Sequence, residues 1–308
     1  MVAGDVKTIA AVLHWGRSYL RAAGVEEPAR TAAILLGHVL DHDTGWVYAH
    51  PEEMLDEEHL FAFHRVVKKR AQRVPVQYIT GCQEFMSLEF LVCPGVFIPR
   101  PETEILVEWV LKVSRSLRPK VCKGGGQETG DPLIVADIGT GSGVVAVSVA
   151  YYVPWCRVYA TDISTRALKV AAENAARNGV AGRVSFWQGD LFQPLDENGL
   201  AGQVDIIATN PPYVSTAEYR DLEPEVRRWE PAEALLAGPR GLDFYPRLAG
   251  EAPRYLKPGG YLGLEVGYNQ AGAVTAMLQS DGRYTAIEVW RDYAGRDRVV
   301  TARCRGRG

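Results

Sequence analysis

From Thr8 to Arg73 apolar residues return every three or four positions: Ile9, Val12, Leu13 and Leu20, then Ile34, Leu35 and Val39, then Leu60, Phe63, Val66 and Val67. That spacing lays one apolar stripe along each helix and predicts a small helical domain over residues 1–80. Pro28 stands where a helix begins, since a first-turn residue needs no amide donor, and Gly24 stands where the preceding helix stops. The next stretch, "EFMSLEFLVCPGVFIPR", holds two β-rich runs around the turn signal Pro94-Gly95. It predicts a hairpin over residues 81–98 that links the helical part to the rest of the chain.

Beyond Arg100, short apolar runs alternate with helical spacing. An amphipathic stretch, Glu102 to Leu117, leads through the Gly-rich polar segment Lys120 to Asp131 into "LIVADIG". Then come a helix from Val144 to Ala150, the strand "CRVYATDIS", a helix from Thr165 to Asn178, and the strands "VSFWQGD" and "VDIIATN". After a long excursion come a helix from Leu242 to Leu256 and the strand "GGYLGLEVG". Strands alternating with helices predict an α/β domain over residues 99–308 with a doubly wound, mostly parallel sheet. The last two runs, "YTAIEVW" and "DRVVTARC", lie too close together for a helical crossover and predict an antiparallel pair.

Composition adds limits. At 308 residues, 47% apolar and 23% charged, the chain is ordinary for a globular protein and long enough for two domains. No run approaches the roughly 18 to 20 uncharged apolar residues of a membrane span, and the first residues lack a basic stretch before an apolar core. A cytoplasmic protein with no membrane partner is expected. The five cysteines, Cys82, Cys93, Cys122, Cys156 and Cys304, are scattered and form no C-x-x-C pair, which fits reduced thiols rather than disulfides or a zinc site. Residues 1–98 carry nine Lys or Arg against twelve Asp or Glu, and the remainder carries 25 of each. Neither part is the basic body that a phosphate backbone demands, so DNA is not an expected partner. The cluster Lys68, Lys69, Arg70 and Arg73 reads as a solvated helix face rather than an RNA contact.

Candidate chemistry lies at the ends of the predicted strands. In "VADIGTGSG" the acid Asp137 ends the first strand, and Gly139, Gly141 and Gly143 come after it with Thr140 and Ser142 between them. Such glycines let the backbone turn tightly and approach a ligand at a helix N-terminus. A dinucleotide loop wants G-x-G-x-x-G; here the third glycine arrives one residue early, which makes S-adenosylmethionine the better candidate. Asp162 ends the second strand, where a carboxylate can accept both ribose hydroxyls, and Asp190 ends the third, within reach of an adenine amino group. The fourth strand runs into Asn210, Pro211, Pro212 and Tyr213, whose shape two prolines largely fix.

All six histidines precede residue 65, so the predicted catalytic part has no histidine base. His38 and His42, four apart, could share a helix face, but no third ligand accompanies them and no metal is expected. What the tetrapeptide offers is a pair of acceptors. The Asn210 side-chain oxygen and the Pro211 carbonyl could each take one N–H of a planar amide or ring amino group, aiming its lone pair at a methyl donor about 3 to 3.5 Å away. Tyr213 would pack against the planar group, and water could take the proton that methylation makes acidic.

At these residues the chain resembles the class I S-adenosylmethionine methyltransferases that carry a (D/N/S)-P-P-(Y/F/W) motif and act on planar nitrogens. More narrowly, "FIPRPETE", "DIGTGSG", "NPPYV", "EPAEALLAGPRGLDFY" and "RDYAGRDRVV" resemble the release factor glutamine N5-methyltransferase family of the HemK/PrmC type, across nearly the whole chain. The resemblance implies a seven-stranded Rossmann-like sheet with its last strand antiparallel, S-adenosylmethionine as cofactor and S-adenosylhomocysteine as product. It implies, as substrate, the glutamine amide in the GGQ tripeptide of class I peptide chain release factors, gripped partly by the helical domain of a monomer. Carried over by position, Asp137, Gly139, Thr140, Gly141, Ser142, Gly143, Asp162, Asp190, Leu191 and Asn210 would contact the cofactor. Asn210, Pro211, Pro212 and Tyr213, with Arg100 of "PRPETE", would hold the glutamine. Where the family often has an aromatic residue after the third-strand acid this chain has Leu191, with Phe192 next to it as the ring that could face adenine. The sibling family acting on a ribosomal-protein glutamine shares "NPPYV" but typically lacks the intact "PRPETE"; a nucleic-acid amino group is the other alternative. The linker contains a GGQ of its own, Gly125, Gly126 and Gln127, read as part of a glycine-rich connection or, more sharply, as an internal substrate mimic. The excursion from Val214 to Gly241, with Trp229, Glu230 and Pro231, reads as a lid.

Overall fold

A polar side chain stands ahead of each of three N-terminal helices and closes its first turn. Thr8 accepts the Ala11 amide at 3.4 Å before α1 (Ile9–Ala22), and α2 runs Pro28–Leu40. Asp43 accepts the Trp46 amide at 2.7 Å before α3 (Thr44–Ala49). Asp56 accepts the His59 amide at 2.8 Å before α4 (Glu57–Ala71), and α5 covers Val76–Thr80. Such caps satisfy amides that the first turn leaves orphaned. The apolar stripes meet in one core where Ile9, Leu20, Leu35, Leu36 and Phe63 are fully buried.

The computed structural model describes residues 7–117 and 131–305. Cys122 and the Gly125-Gly126-Gln127 triplet, and with it the reading of Gln127 as a substrate mimic, lie outside the described residues. The chain divides into two units, a helical one of Met1–Cys82 with Glu223–Trp229 and an α/β one of Gln83–Leu222 with Glu230–Gly308.

Three expectations change inside these units. Arg70, expected on a solvated face, is buried: its guanidinium lies 2.7 Å from Glu225, whose other oxygen takes Arg73 at 2.5 Å. Burial alone would raise the Glu225 pKa, but the hydrogen bonds from Arg73 and Arg70 outweigh it and hold the carboxyl below the usual range. His42 does not share a helix face with His38, because α2 ends in the left-handed Asp41 and the His42 ring stacks on Trp46 at 3.8 Å. The hairpin forms, as β1 (Cys82–Phe85) and β2 (Leu88–Leu91), but it turns at Met86-Ser87, at φ 52° and 57°, and Pro94-Gly95 comes after its second strand. Two successive positive-φ residues give the turn a twist that matches a right-handed hairpin.

A one-turn 3-10 helix, Pro101–Thr103, leads into α6 (Glu104–Ser116). The strands are β3 (Leu133–Ile138), β4 (Cys156–Asp162), β5 (Val184–Gln188), β6 (Val204–Thr209), β7 (Leu256–Glu265), β8 (Tyr284–Arg291) and β9 (Asp297–Cys304). Between them lie α7 (Val144–Tyr152), α8 (Thr165–Arg177), α9 (Gln193–Glu197), α10 (Thr216–Asp221), α11 (Pro224–Trp229), α12 (Tyr245–Tyr255) and α13 (Ala271–Asp281). One seven-stranded sheet results, in the order β5-β4-β3-β6-β7-β9-β8. Its first five strands are parallel; β9 runs antiparallel to both neighbours, as expected for the last two runs. The chain winds outward from β3 to β5 and then crosses back to β6 on β3's other side. The pairing Asp137 with Ala208 and Ile138 with Thr209 therefore releases two loops side by side at a topological switch point. Among the described residues no helix is long and apolar enough to cross a membrane.

Candidate active site

The loop after β3 is built around positive-φ glycines. Gly139, Gly141 and Gly143 have φ of 74°, 57° and 85°, a region that side chains with a Cβ rarely adopt. Their surroundings differ. A Cβ on Gly143 would stand 2.9 Å from the Ala171 Cβ, so this glycine lets α7 pack against α8. A Cβ on Gly139 or Gly141 would meet nothing within 4 Å, and the backbone there faces open space next to the N-terminus of the nine-residue α7. Amides and a helix N-terminus facing an open volume suit the carboxylate and ribose of an S-adenosylmethionine, so the residues present fit that cofactor.

Asp137 does not face that volume. It is 1% exposed, and its carboxylate accepts from the Thr140 hydroxyl at 2.6 Å and from the Ala146 amide at 3.1 Å. Burial pushes its pKa up to about 7 against those two hydrogen bonds, with the Asp162 charge adding to the rise. Asp137 thus supports the loop from beneath. Asp162, half-buried, accepts the Gly141 amide at 2.8 Å and the Ser164 amide at 2.8 Å, and each oxygen keeps a lone pair for a ribose hydroxyl. Burial raises its pKa as well, partly countered by those amides. Asn174, which the sequence did not single out, is fully buried and donates to the Ser142 carbonyl at 2.9 Å, fixing the loop from the side.

The corner after β5 departs further from expectation. Asp190 is exposed, and Arg247 holds both its oxygens at 3.2 and 2.7 Å, so an adenine amino group would share it with a guanidinium. Leu191 is half-buried with φ 48°, its carbonyl accepting from Thr161 at 2.9 Å. Phe192 is not available to adenine: it is fully buried, its ring stacked on Tyr255 at 5.1 Å.

Across the switch point, the Thr209 hydroxyl donates to the Ile138 carbonyl at 2.6 Å and pins the start of Asn210-Pro211-Pro212-Tyr213 to the glycine loop. Asn210 is half-buried, and its Nδ2 donates to Thr103 Oγ1 at 3.0 Å. With the amino end engaged, Oδ1 is left as an acceptor. Pro211 is buried. The Tyr213 carbonyl accepts from Gln270 Nε2 at 2.8 Å, and that amide also donates to Gly241 at 3.1 Å, while Gln270 Oε1 accepts the Gly267 amide at 2.9 Å. Burial raises the Tyr213 phenol above its ordinary value, with the Glu265 charge in support, so the ring stays neutral.

"PRPETE" locks into this frame. Arg100 donates to Glu230 at 2.5 Å and to the Ile98 carbonyl at 2.7 Å, and its guanidinium lies 4.8 Å from the Phe97 ring centre. Glu230 also accepts the Ile98 amide at 3.1 Å. Arg100 is therefore engaged in holding the segment before α6 rather than standing free for substrate. Two residues on these elements carry little signal in the sequence. Thr103 is legible only as part of "PRPETE", and Glu265 only as the polar last residue of an apolar strand.

Residues 11–81 match the family described as the PrmC N-terminal domain, and residues 129–223 match the methyltransferase small domain. A release factor glutamine methyltransferase from Moorella thermoacetica is 44% identical over 92% of this chain and 94% of its own length. One from Geobacter sulfurreducens is 39% identical over 97% of this chain and 98% of its own. Among solved structures, a methyltransferase from Pyrococcus furiosus superimposes with a TM-score of 0.47 at 17% identity, covering 72% of this chain and 91% of that one.

Proposed function

We infer the reaction from one premise: the chain belongs to the release factor glutamine methyltransferase family. It methylates a release factor glutamine, and we take the acceptor to be the side-chain amide nitrogen, N5, of the GGQ glutamine in class I factors. The observation that carries this reading is the Asn210–Thr103 hydrogen bond of 3.0 Å, which commits the amino end of Asn210 and leaves its oxygen for a substrate N–H.

S-adenosylmethionine, when bound, supplies an electrophilic methyl group. Gly139 to Gly143 and Asp162 would hold it, with Asp190 and Leu191 at the adenine end. The remaining work is positional. The glutamine amide has two N–H groups, and Asn210 Oδ1 and the Pro211 carbonyl would each accept one. The amide plane is then fixed with its weak lone pair directed at the methyl, the kind of orientation worth orders of magnitude in rate. The neutral Tyr213 ring would cover one face of the amide and exclude water, and Gln270 holds the Tyr213 backbone in place. No residue of the set needs to be a base, since the amide nitrogen that has taken the methyl has four bonds and a positive charge and sheds one proton readily to solvent. The helical unit is assigned a part in gripping the release factor.

The test is transfer of labelled methyl groups from S-adenosylmethionine to a purified class I release factor and to its GGQ→GGA variant. Label on the first and none on the second is expected. Equal labelling of both, or labelling of RNA alone, would reject the assignment.

A further inference from the structure

Glu265, at the carboxyl end of β7, is fully buried, and among the described residues neither carboxyl oxygen closes a well-formed hydrogen bond, the Thr103 hydroxyl being the one donor set against it. A buried carboxyl left so costs several kcal/mol in general, and such a group calls for an explanation. The cations around it are engaged elsewhere: Arg298 with Asp292 at 2.9 Å and Glu102 at 3.7 Å, and Arg100 with Glu230 at 2.5 Å. Beside it lies the hydroxyl of Thr103, 2% exposed, the same hydroxyl that accepts from Asn210 Nδ2 at 3.0 Å.

We propose that Glu265 is a positioning residue of the active site: through the Thr103 hydroxyl its carboxyl decides which end of the Asn210 amide faces the substrate. The inference rests on the reading that Asn210 Oδ1 accepts a glutamine N–H. A hydroxyl has one proton and two lone pairs. When Glu265 is ionised it is acceptor-only and draws the Thr103 proton, so the Thr103 lone pairs face Asn210 and can be met only by its amino end. Oδ1 then points to the pocket. When Glu265 carries a proton it can donate to Thr103, whose own proton turns toward Asn210 and is met by Oδ1. The amino end would then face the pocket and confront the N–H of the glutamine.

Burial raises the Glu265 carboxyl to about 8, against the Thr103 hydroxyl and the Arg298 charge, which lower it. The groups that face it are Arg298 on β9, Arg100 and Glu102 before α6, Tyr213 after β6 and Tyr245 on α12, both phenols being held neutral by burial. Within the working range of the enzyme, then, turnover rises with pH as this carboxyl loses its proton.

The experiment compares wild type with Thr103→Val, Thr103→Ser, Glu265→Leu and Glu265→Gln. Thr103→Val and Glu265→Leu should each lower kcat about tenfold, the scale of one lost hydrogen bond, with little change in KM for the release factor. Thr103→Ser restores the hydroxyl and should recover most of the rate. Glu265→Gln keeps a carbonyl acceptor but cannot titrate, so its kcat should lose the rise with pH that wild type shows. The Thr103→Val, Glu265→Leu double variant should be no worse than either single one, because the two act as a unit. Wild-type kcat in Glu265→Leu, or additive losses in the double variant, would overturn the proposal. Failure of wild type to methylate any release factor would instead count against the function. In that case the infrared carboxyl band of Glu265, identified by its loss in Glu265→Gln, still decides: Thr103→Val should raise its pKa, and an unchanged titration overturns the coupling.

Discussion

At the residue scale, two fully buried acids tie the stability of this fold to pH. Asp137 and Glu265 are both buried with raised pKa values, about 7 and about 8 against ordinary values of 3.8 and 4.5. Below the ordinary values both folded and unfolded chains hold the protons, and nothing depends on pH. Between the ordinary and the raised values the folded chain keeps protons that the unfolded chain has released, so unfolding gains ground as pH rises. Each group can contribute up to about 1.4 kcal/mol per pH unit in that window. Without cofactor, the urea midpoint of wild type should therefore fall between about pH 5 and pH 8, and Asp137→Asn should fall less steeply over the lower part. Parallel slopes for the two proteins would mean that Asp137 ionises normally in the fold. The cost falls at the carboxyl ends of β3 and β7: Asp137 holds the glycine loop, and Glu265 lies beside the Thr103 hydroxyl that accepts from Asn210.

At the scale of elements, what the sequence revealed and what it hid have different physical origins. The glycine loop and the alternation of strands and helices were legible because positive φ and the two-residue and three-to-four-residue periods leave direct marks in residue type. The hairpin turn was not, because Met86 and Ser87 carry no turn signal and adopt positive φ under tertiary restraint. The Met86 amide is held by Glu104 at 2.7 Å and its carbonyl by the Tyr152 hydroxyl at 2.6 Å. Pro94-Gly95, the louder signal, serves the next corner, where a Cβ on Gly95 would stand 2.7 Å from the Arg166 side chain. Thr103 and Glu265 were hidden for another reason: a hydroxyl in a charged motif and an acid ending an apolar strand acquire meaning only when the fold buries them together. The turn is testable. Ser87 is exposed and at φ 57°, so Ser87→Gly should relieve the conformation and stabilise the catalytic unit by roughly 0.5 to 1 kcal/mol. Urea denaturation that shows a loss instead would mean that the Ser87 side chain has a bond worth more than the strain.

At the scale of the whole molecule, the pattern along the chain changes near residue 80, yet the helical unit takes in a segment from far beyond it. Residues 223–229 sit in the middle of the catalytic sequence, and no periodicity announces that they group with the helical unit. What assigns them is charge. Arg70, buried in the last turn of α4, and Arg73, half-buried just past its end, both turn their guanidinium groups to Glu225. A buried ion pair adds little net stability over an apolar replacement, yet removing one partner leaves a stranded charge that costs about 3 to 5 kcal/mol. Glu225→Ala strands the buried Arg70 and unpairs the half-buried Arg73. Amide hydrogens of α1 and α4 should therefore exchange faster in Glu225→Ala than in wild type by a factor corresponding to about 3 kcal/mol of opening energy. A fragment ending at Cys82 lacks the same carboxylate and should show the same deficit, and adding Arg70→Met and Arg73→Met to Glu225→Ala should return most of the protection, since the stranded charges are then gone. If α1 and α4 exchange alike in wild type and Glu225→Ala, the helical unit is stable without the 223–229 segment and the division of the chain near residue 80 is a clean one.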